Sequence, residues 1–177
     1  MTKNFNLHIM RIQDEFYALR ATQMAPELIG KLLCRKINNE IIRLRITETE
    51  IYFGEEDSAC HASKGKTNRT KIMYESGGLA YVYLCYGIHS MLNIVSGVKG
   101  FPEACLIRGV EGFNGPGKLT KALNITTKLN GANLKTSDEI WLEDDGKSFK
   151  YFTDKRIGIG YANKKDRDKK WRFILKL

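Results

Sequence analysis

The stretch from Ile41 to Tyr52, IIRLRITETEIY, constrains the fold more than any other part of the chain. Apolar and polar residues alternate along it, and β-branched and aromatic side chains are frequent, which is the pattern of a half-buried strand. Side chains on a strand point alternately to opposite faces, so regular pleating places Ile42, Leu44, Ile46, Glu48, Glu50 and Tyr52 on one face. The apolar face of the strand therefore runs into two carboxylates. Burying an ionised carboxylate without partners costs several kcal/mol, so this needs a reason. A β-bulge or a strand end would turn the glutamates to solvent. A pocket floor would keep them inside, where a glutamate ionised at neutral pH acts as a general base on water.

The remainder of the chain reads as one domain, residues 1–177. At 42% hydrophobic and 28% charged residues it can bury a core and is not disordered as a whole. Pro occurs only at positions 26, 102 and 116, and neither a linker nor an internal repeat interrupts the pattern. Thr22 to Leu33 reads as a short amphipathic helix with Pro26 in its first turn, followed by the Ile41 to Tyr52 strand. Ala80 to Tyr86 and Met91 to Val95 read as a hairpin turning near Gly87 to Ser90, and Ala104 to Val110 as a further strand. Gly115-Pro116-Gly117 opens a helix from Lys118 to Leu123. IWLE at 140–143, RIGIG at 156–160 and WRFILKL at 171–177 read as more strands. The whole suggests an α+β domain built on antiparallel sheet.

Charge narrows the partners. The formal net charge is +9, and the segment from Lys164 to Lys176 alone holds seven basic residues against Asp166 and Asp168. That tail is a candidate polyanion contact. Five acidic residues without a basic one lie between Glu48 and Asp57, an anomaly in a basic protein. No apolar run approaches the roughly 20 residues of a membrane helix, and the N-terminal residues lack a secretory pattern. An intracellular, cytoplasmic location is expected, nucleoid-associated if the source is bacterial, with no membrane partner. Cys34, Cys60, Cys85 and Cys105 form no CxxC and no zinc spacing, so no metal site is expected of them.

Flat rings gather near the glutamates. Tyr52 shares their strand, His61 follows closely, and Tyr81, Tyr83 and Tyr86 crowd the next strand. Ordinary sheet packing would use the same tyrosines. Together with a basic surface, the cluster also fits binding of a planar nucleic-acid base, where stacking contributes roughly 1–3 kcal/mol per base.

ITETEIYFGEEDSACHASKGKTNRT at 46–70 and AYVYLCYGIHSMLNIV at 80–95 resemble the alkyladenine (3-methyladenine) DNA glycosylases of the mammalian type. ACLIRGVEG at 104–112, GPGKLTKAL at 115–123, RIGIG at 156–160 and WRF at 171–173 continue the resemblance in order, over roughly residues 25–175. The chain departs from the family pattern at Asn68, Thr70, Gly109 and Lys170.

The resemblance implies a single-domain fold, a curved antiparallel sheet with a protruding β-hairpin and surrounding helices. It also implies a monomer that acts on double-stranded DNA containing damaged purines and needs no cofactor. By the same resemblance Glu50 is the base that activates the attacking water, with Arg108 and the Ile157 carbonyl helping to hold that water, and Glu48 is structural. Tyr52, His61 and Tyr83 sandwich the flipped base, Asn93 screens it for an exocyclic amine, and Tyr86 wedges into the duplex. The implied reaction is hydrolysis of the N-glycosidic bond of an alkylated or deaminated purine, leaving an abasic site. The residues alone leave two alternatives open: a non-catalytic nucleic-acid-binding module, and a glycoside hydrolase using Glu48 and Glu50 as a carboxylate pair.

Overall fold

A computed structural model of the protein describes residues 9–176. Residues 1–8 of the N-terminal reading, and Leu177 at the end of the last strand reading, lie outside the described residues. The first half contains β1 (Met10–Arg11), α1 (Asp14–Tyr17), α2 (Ala21–Leu28), β2 (Leu32–Ile37), β3 (Glu40–Phe53), β4 (Ala80–Cys85) and β5 (His89–Val95). The second contains β6 (Glu103–Val110), β7 (Phe113–Asn114), α3 (Pro116–Ala122), β8 (Ile140–Asp144), β9 (Tyr151–Asp154), α4 (Lys164–Arg167) and β10 (Arg172–Leu175). The strands form an antiparallel sheet in the order β1-β8-β2-β3-β6-β5-β4, with β7 beside β6, and β10 joining β3 to β9. No helix among the described residues is long and apolar enough to cross a membrane.

β3 organises this sheet. Its first half pairs with β2 from Glu40 to Arg45, and its second half pairs with β6 and, over Glu48 to Glu50, with β10. Between the halves the register to β6 shifts twice, from Ile46 to Glu48 and from Glu48 to Thr49. The shift reverses which face is buried. Ile46 and Ile51 lie five positions apart, an odd spacing that regular pleating sends to opposite faces, yet both belong to one core cluster. Glu48 and Glu50 consequently do not continue the face of Ile42, Leu44 and Ile46 as regular alternation requires. They lie on the other side of the sheet, and other layers of the protein cover them there. The bulge anticipated as one reading is present, but it does not deliver the glutamates to solvent, since Glu50 is 0% exposed and Glu48 is 7% exposed. Gly109 faces the dislocation from β6, where an added Cβ would lie 2.8 Å from Thr47 Oγ1.

Beyond the dislocation each strand divides its side chains cleanly between two faces. Ile51 of β3, Cys105 and Ile107 of β6, Leu92 and Ile94 of β5, and Ala80 and Val82 of β4 enter the core, which Met24 and Leu28 of α2 and Leu119 of α3 cover. Tyr52, Leu106, Arg108, Met91, Asn93, Tyr81 and Tyr83 point the other way and line a cleft.

Several local readings change: the helix read as far as Leu33 ends at Leu28, and Leu32 and Leu33 belong to β2. Pro26 sits in the last turn of α2, not the first, because the helix already starts at Ala21, whose N–H is anchored on Glu103 Oε2 at 2.9 Å. RIGIG at 156–160 is not a strand: Gly158 takes a φ of +75°, and the Ile157 N–H donates to a side chain instead of a neighbouring strand. The hairpin turn is also tighter than read, since β5 already begins at His89.

Because Ile46 and Ile51 share one core, Ile46→Ala and Ile51→Ala should each lower the unfolding free energy by about 2–5 kcal/mol in urea titrations. A strand without the dislocation would make one of the two substitutions cheap.

Candidate active site

Glu50 is the most deeply placed charge of the cleft region. Its Oε1 accepts the Ile157 N–H at 2.7 Å and its Oε2 accepts the Tyr52 O–H at 2.9 Å. The Arg108 Nε stands 3.6 Å from Oε1. Ile157, Tyr52 and Arg108 all line the cleft, so the carboxylate lies just beneath its floor with these three groups over it. Burial pushes the Glu50 carboxyl above the ordinary range, and Arg108, the Ile157 N–H and the Tyr52 O–H oppose that shift. Burial, then the neighbouring Glu50 charge, pushes the Tyr52 phenol upward, which keeps it a donor at neutral pH.

Arg108 serves both glutamates, with its Nε also 3.3 Å from Glu48 Oε1. Glu48 Oε1 takes a second guanidinium from Arg172 at 2.9 Å, and Arg172 continues to Asp154 at 2.8 Å. A third arginine lies behind Tyr52. Arg156 is buried, clasps Asp57 through two bonds of 2.7 and 2.8 Å and donates to the Ile51 carbonyl at 2.8 Å. Its guanidinium carbon lies 5.0 Å from the Tyr52 ring centroid and 5.1 Å from that of Trp171. The clasp fixes Arg156, and with it the adjacent Ile157 N–H that holds Glu50.

The acidic run is thereby divided among separate tasks. Glu48 and Glu50 belong to the cleft floor, Asp57 holds Arg156, and Glu55 accepts the Tyr74 hydroxyl. The basic tail changes too. Arg172 is tied to Glu48 and Asp154, Lys164 to Asp168 and Lys169 to Asp166, so the tail's outward charge is smaller than its sequence count.

The cleft above the floor has a volume of about 490 Å³, within the usual size of small-molecule sites. One wall is aromatic. His61 opens a short 3-10 helix, His61–Lys64, and its ring meets Tyr83 at 4.6 Å between centroids, with Tyr83 and Tyr81 at 5.3 Å. His61 Nδ1 and the Tyr81 hydroxyl are 3.0 Å apart. Burial, followed by Arg69 and Lys64, lowers the His61 pKa to about 4, so the imidazole is neutral at pH 7. Asn93 is buried and its Nδ2 donates to the Tyr81 carbonyl at 3.2 Å, which fixes the amide at the cleft wall.

Tyr86 stands at the mouth. It is 91% exposed with a φ of +52°, Gly87 follows at +67°, and the Ile88 N–H donates to the Cys85 carbonyl at 3.1 Å. This is the pattern of a type I′ hairpin turn, which a bulky residue rarely enters.

Every residue given a site role in the sequence thus lies at the cleft or directly beneath it. Arg69, Asp57, Arg156, Arg172 and Tyr161 have no site role in the sequence reading and also belong to the assembly. Tyr161 lines the cleft with its hydroxyl on the Ala59 carbonyl at 2.7 Å, and Arg69 lines it from the opposite loop. Asp57 and Arg156 are 99 positions apart, and nothing in either local sequence names the other. Among the described residues no cluster of His, Cys, Asp and Glu is arranged to hold a metal.

The comparisons with known proteins agree with one another. A family model described as methylpurine-DNA glycosylase (MPG) matches residues 15–113 and 111–177. Relatives bearing the name 3-methyladenine DNA glycosylase include one from Borrelia garinii subsp. bavariensis, 46% identical, covering 92% of this chain and 95% of its own length. Another from Natranaerobius thermophilus is 41% identical over 94% of this chain and 96% of its own. A third, from Rickettsia felis, is 43% identical over 94% of each. With a family model spanning nearly the whole chain and relatives of this identity and coverage, the chain belongs to the methylpurine-DNA glycosylase family.

Proposed function

We propose that the protein is a 3-methyladenine DNA glycosylase that removes alkylated or deaminated purines from double-stranded DNA as a monomer. The observation that carries this reading is the fully buried Glu50, held by Ile157, Tyr52 and Arg108 under a cleft walled by His61, Tyr81 and Tyr83. In this reading a flat ring entering the cleft stacks against His61 and Tyr83 on one face and Tyr52 on the other, with its sugar end toward the carboxylate. Extruding a base costs a few kcal/mol of pairing and stacking, least for a damaged base, and ring contacts offset part of this.

In the proposed reaction Glu50 accepts a proton from a water that Arg108 and the Ile157 carbonyl help to hold. The water oxygen bonds to the sugar C1′ as the N-glycosidic bond breaks, and its electron pair leaves with the purine. Positive charge develops on the sugar in the transition state, and the carboxylate stabilises it. Glu48, neutralised by Arg108 and Arg172, acts structurally. Asn93 screens the base edge, and Tyr52, His61 and Tyr83 sandwich its faces. Alkylation at N3 or N7 gives the leaving base a positive charge and speeds its departure. The products are a free purine and an abasic site, without strand cleavage.

Tyr86 is assigned to the gap left in the duplex. Its exposed ring and left-handed backbone fit a residue retained at a turn for a task outside the fold.

The direct assay uses a duplex oligonucleotide with one hypoxanthine or 1,N6-ethenoadenine, followed by alkali cleavage of abasic sites. Methylated genomic DNA provides a second substrate. Glu50→Gln should retain the fold and lose at least about 100-fold in single-turnover rate. Unchanged release by this variant would remove Glu50 from the chemistry. Tyr86→Ala should slow excision from paired duplex more than from a single strand, and equal losses on both would remove the wedge.

A further inference from the structure

The charges around the cleft do not balance, and the imbalance lies at its mouth. Two formally charged side chains are among the lining residues, Arg69 and Arg108. Arg108 is engaged by Glu48 and Glu50, which together with Arg172 form a compensated set beneath the floor. Arg69 has no carboxylate partner among the described residues and is exposed on the loop between His61 and the start of β4. Its guanidinium carbon lies 4.9 Å from the Tyr83 ring centroid. One face of the Tyr83 π-system is therefore already engaged by a cation. The other groups of the same wall are the neutral His61 ring and the Tyr81 ring.

We infer that Arg69 is a charge screen for the cleft, favouring flat neutral purine lesions over purines that carry a formal positive charge. The inference rests on the proposed function, because it concerns which base enters that site. A cationic base placed against this wall meets a ring polarised by Arg69 and a like charge at the rim. A neutral base of the same shape meets the ring alone. The screen costs the enzyme little in chemistry, since a cationic purine leaves readily once bound. A neutral purine has the harder departure, and stronger binding lengthens the time it spends flipped in the cleft. Arg69 touches the stacking ring, so it acts as a specificity determinant of the same site.

An arginine at a DNA-facing rim also suits a phosphate contact, and the two roles give different results. A phosphate contact weakens every duplex alike. A charge screen changes the ratio between lesions. The test uses the Glu50→Gln protein, with binding read before residual excision proceeds, and two duplexes that differ at one base. One carries 7-methylguanine, which is cationic, and the other its neutral isostere 7-methyl-7-deazaguanine.

Adding Arg69→Gln should raise the affinity for the cationic duplex relative to the neutral one by about three- to tenfold, the size expected for one rim charge in a partly solvated site. Arg69→Lys, which keeps the charge, should leave the ratio near that of the parent. Equal weakening of both duplexes, or a shift of the ratio toward the neutral base, overturns the inference. Excision of hypoxanthine by the protein with Glu50 intact is measured separately. Absence of that excision and of purine release from methylated genomic DNA, with the binding ratio still responding to Arg69→Gln, would remove the glycosylase reading and leave the charge screen standing.

Discussion

A single buried carboxylate sets the terms for everything around it. Glu50 is excluded from water, and an ionised group in that position is tolerable only where donors replace the lost hydration. The fold supplies them locally and from two distant parts of the chain: Tyr52 from the same strand, Arg108 from β6, and the Ile157 N–H from the segment after β9. Hydrogen bonds to a charged group contribute about 1.5–3 kcal/mol each, so this shell is of the size needed to offset several kcal/mol of desolvation. The Ile157 donor has its own support. Arg156, one residue before it, is clamped on Asp57 and stacked beneath Tyr52, so one buried ion pair steadies both the donor and the ring that caps the carboxylate.

The dislocation in β3 makes the arrangement compatible with a packed core. Without it, Glu48 and Glu50 would follow Ile42, Leu44 and Ile46 into the hydrophobic layer. With it, Thr49 and Ile51 take the core side and the glutamates face the cleft. The same strand thus serves packing on one face and the cleft floor on the other. Beyond the dislocation β6, β5 and β4 repeat that division, alternating core residues with cleft residues. The aromatic wall is the outward half of ordinary antiparallel strands.

Much of this was legible in the chain. The strand from Ile41 to Tyr52, the hairpin, the glutamates and the rings are periodic or compositional features, and the family resemblance ordered them. The parity change was not legible, because Ile46-Thr47-Glu48-Thr49 continues the alternation without a Gly or Pro to mark a bulge; the nearest sign, Gly109, lies on the partner strand. The segment 156–160 looked like a strand because its apolar residues alternate with glycines, yet its backbone is committed to Glu50. Charge counts along the tail could not show that Arg172 is tied to carboxylates, since its partners Glu48 and Asp154 come from other strands, whereas Lys164 and Lys169 pair within the tail itself. Local pattern carries the elements, and long-range pairing decides what their charges do.

The central claim, that Glu50 works as a buried base whose charge Arg108 sustains, is tested most directly by the pH dependence of single-turnover excision on a hypoxanthine duplex. The active form is the carboxylate, so the rate should fall as pH drops through the folded-state pKa. Burial raises that pKa above the ordinary glutamate value of 4.5. Arg108 lowers it, so Arg108→Gln should move the acid limb to still higher pH. An acid limb that follows an ordinary glutamate, or one that Arg108→Gln leaves in place, would contradict the account.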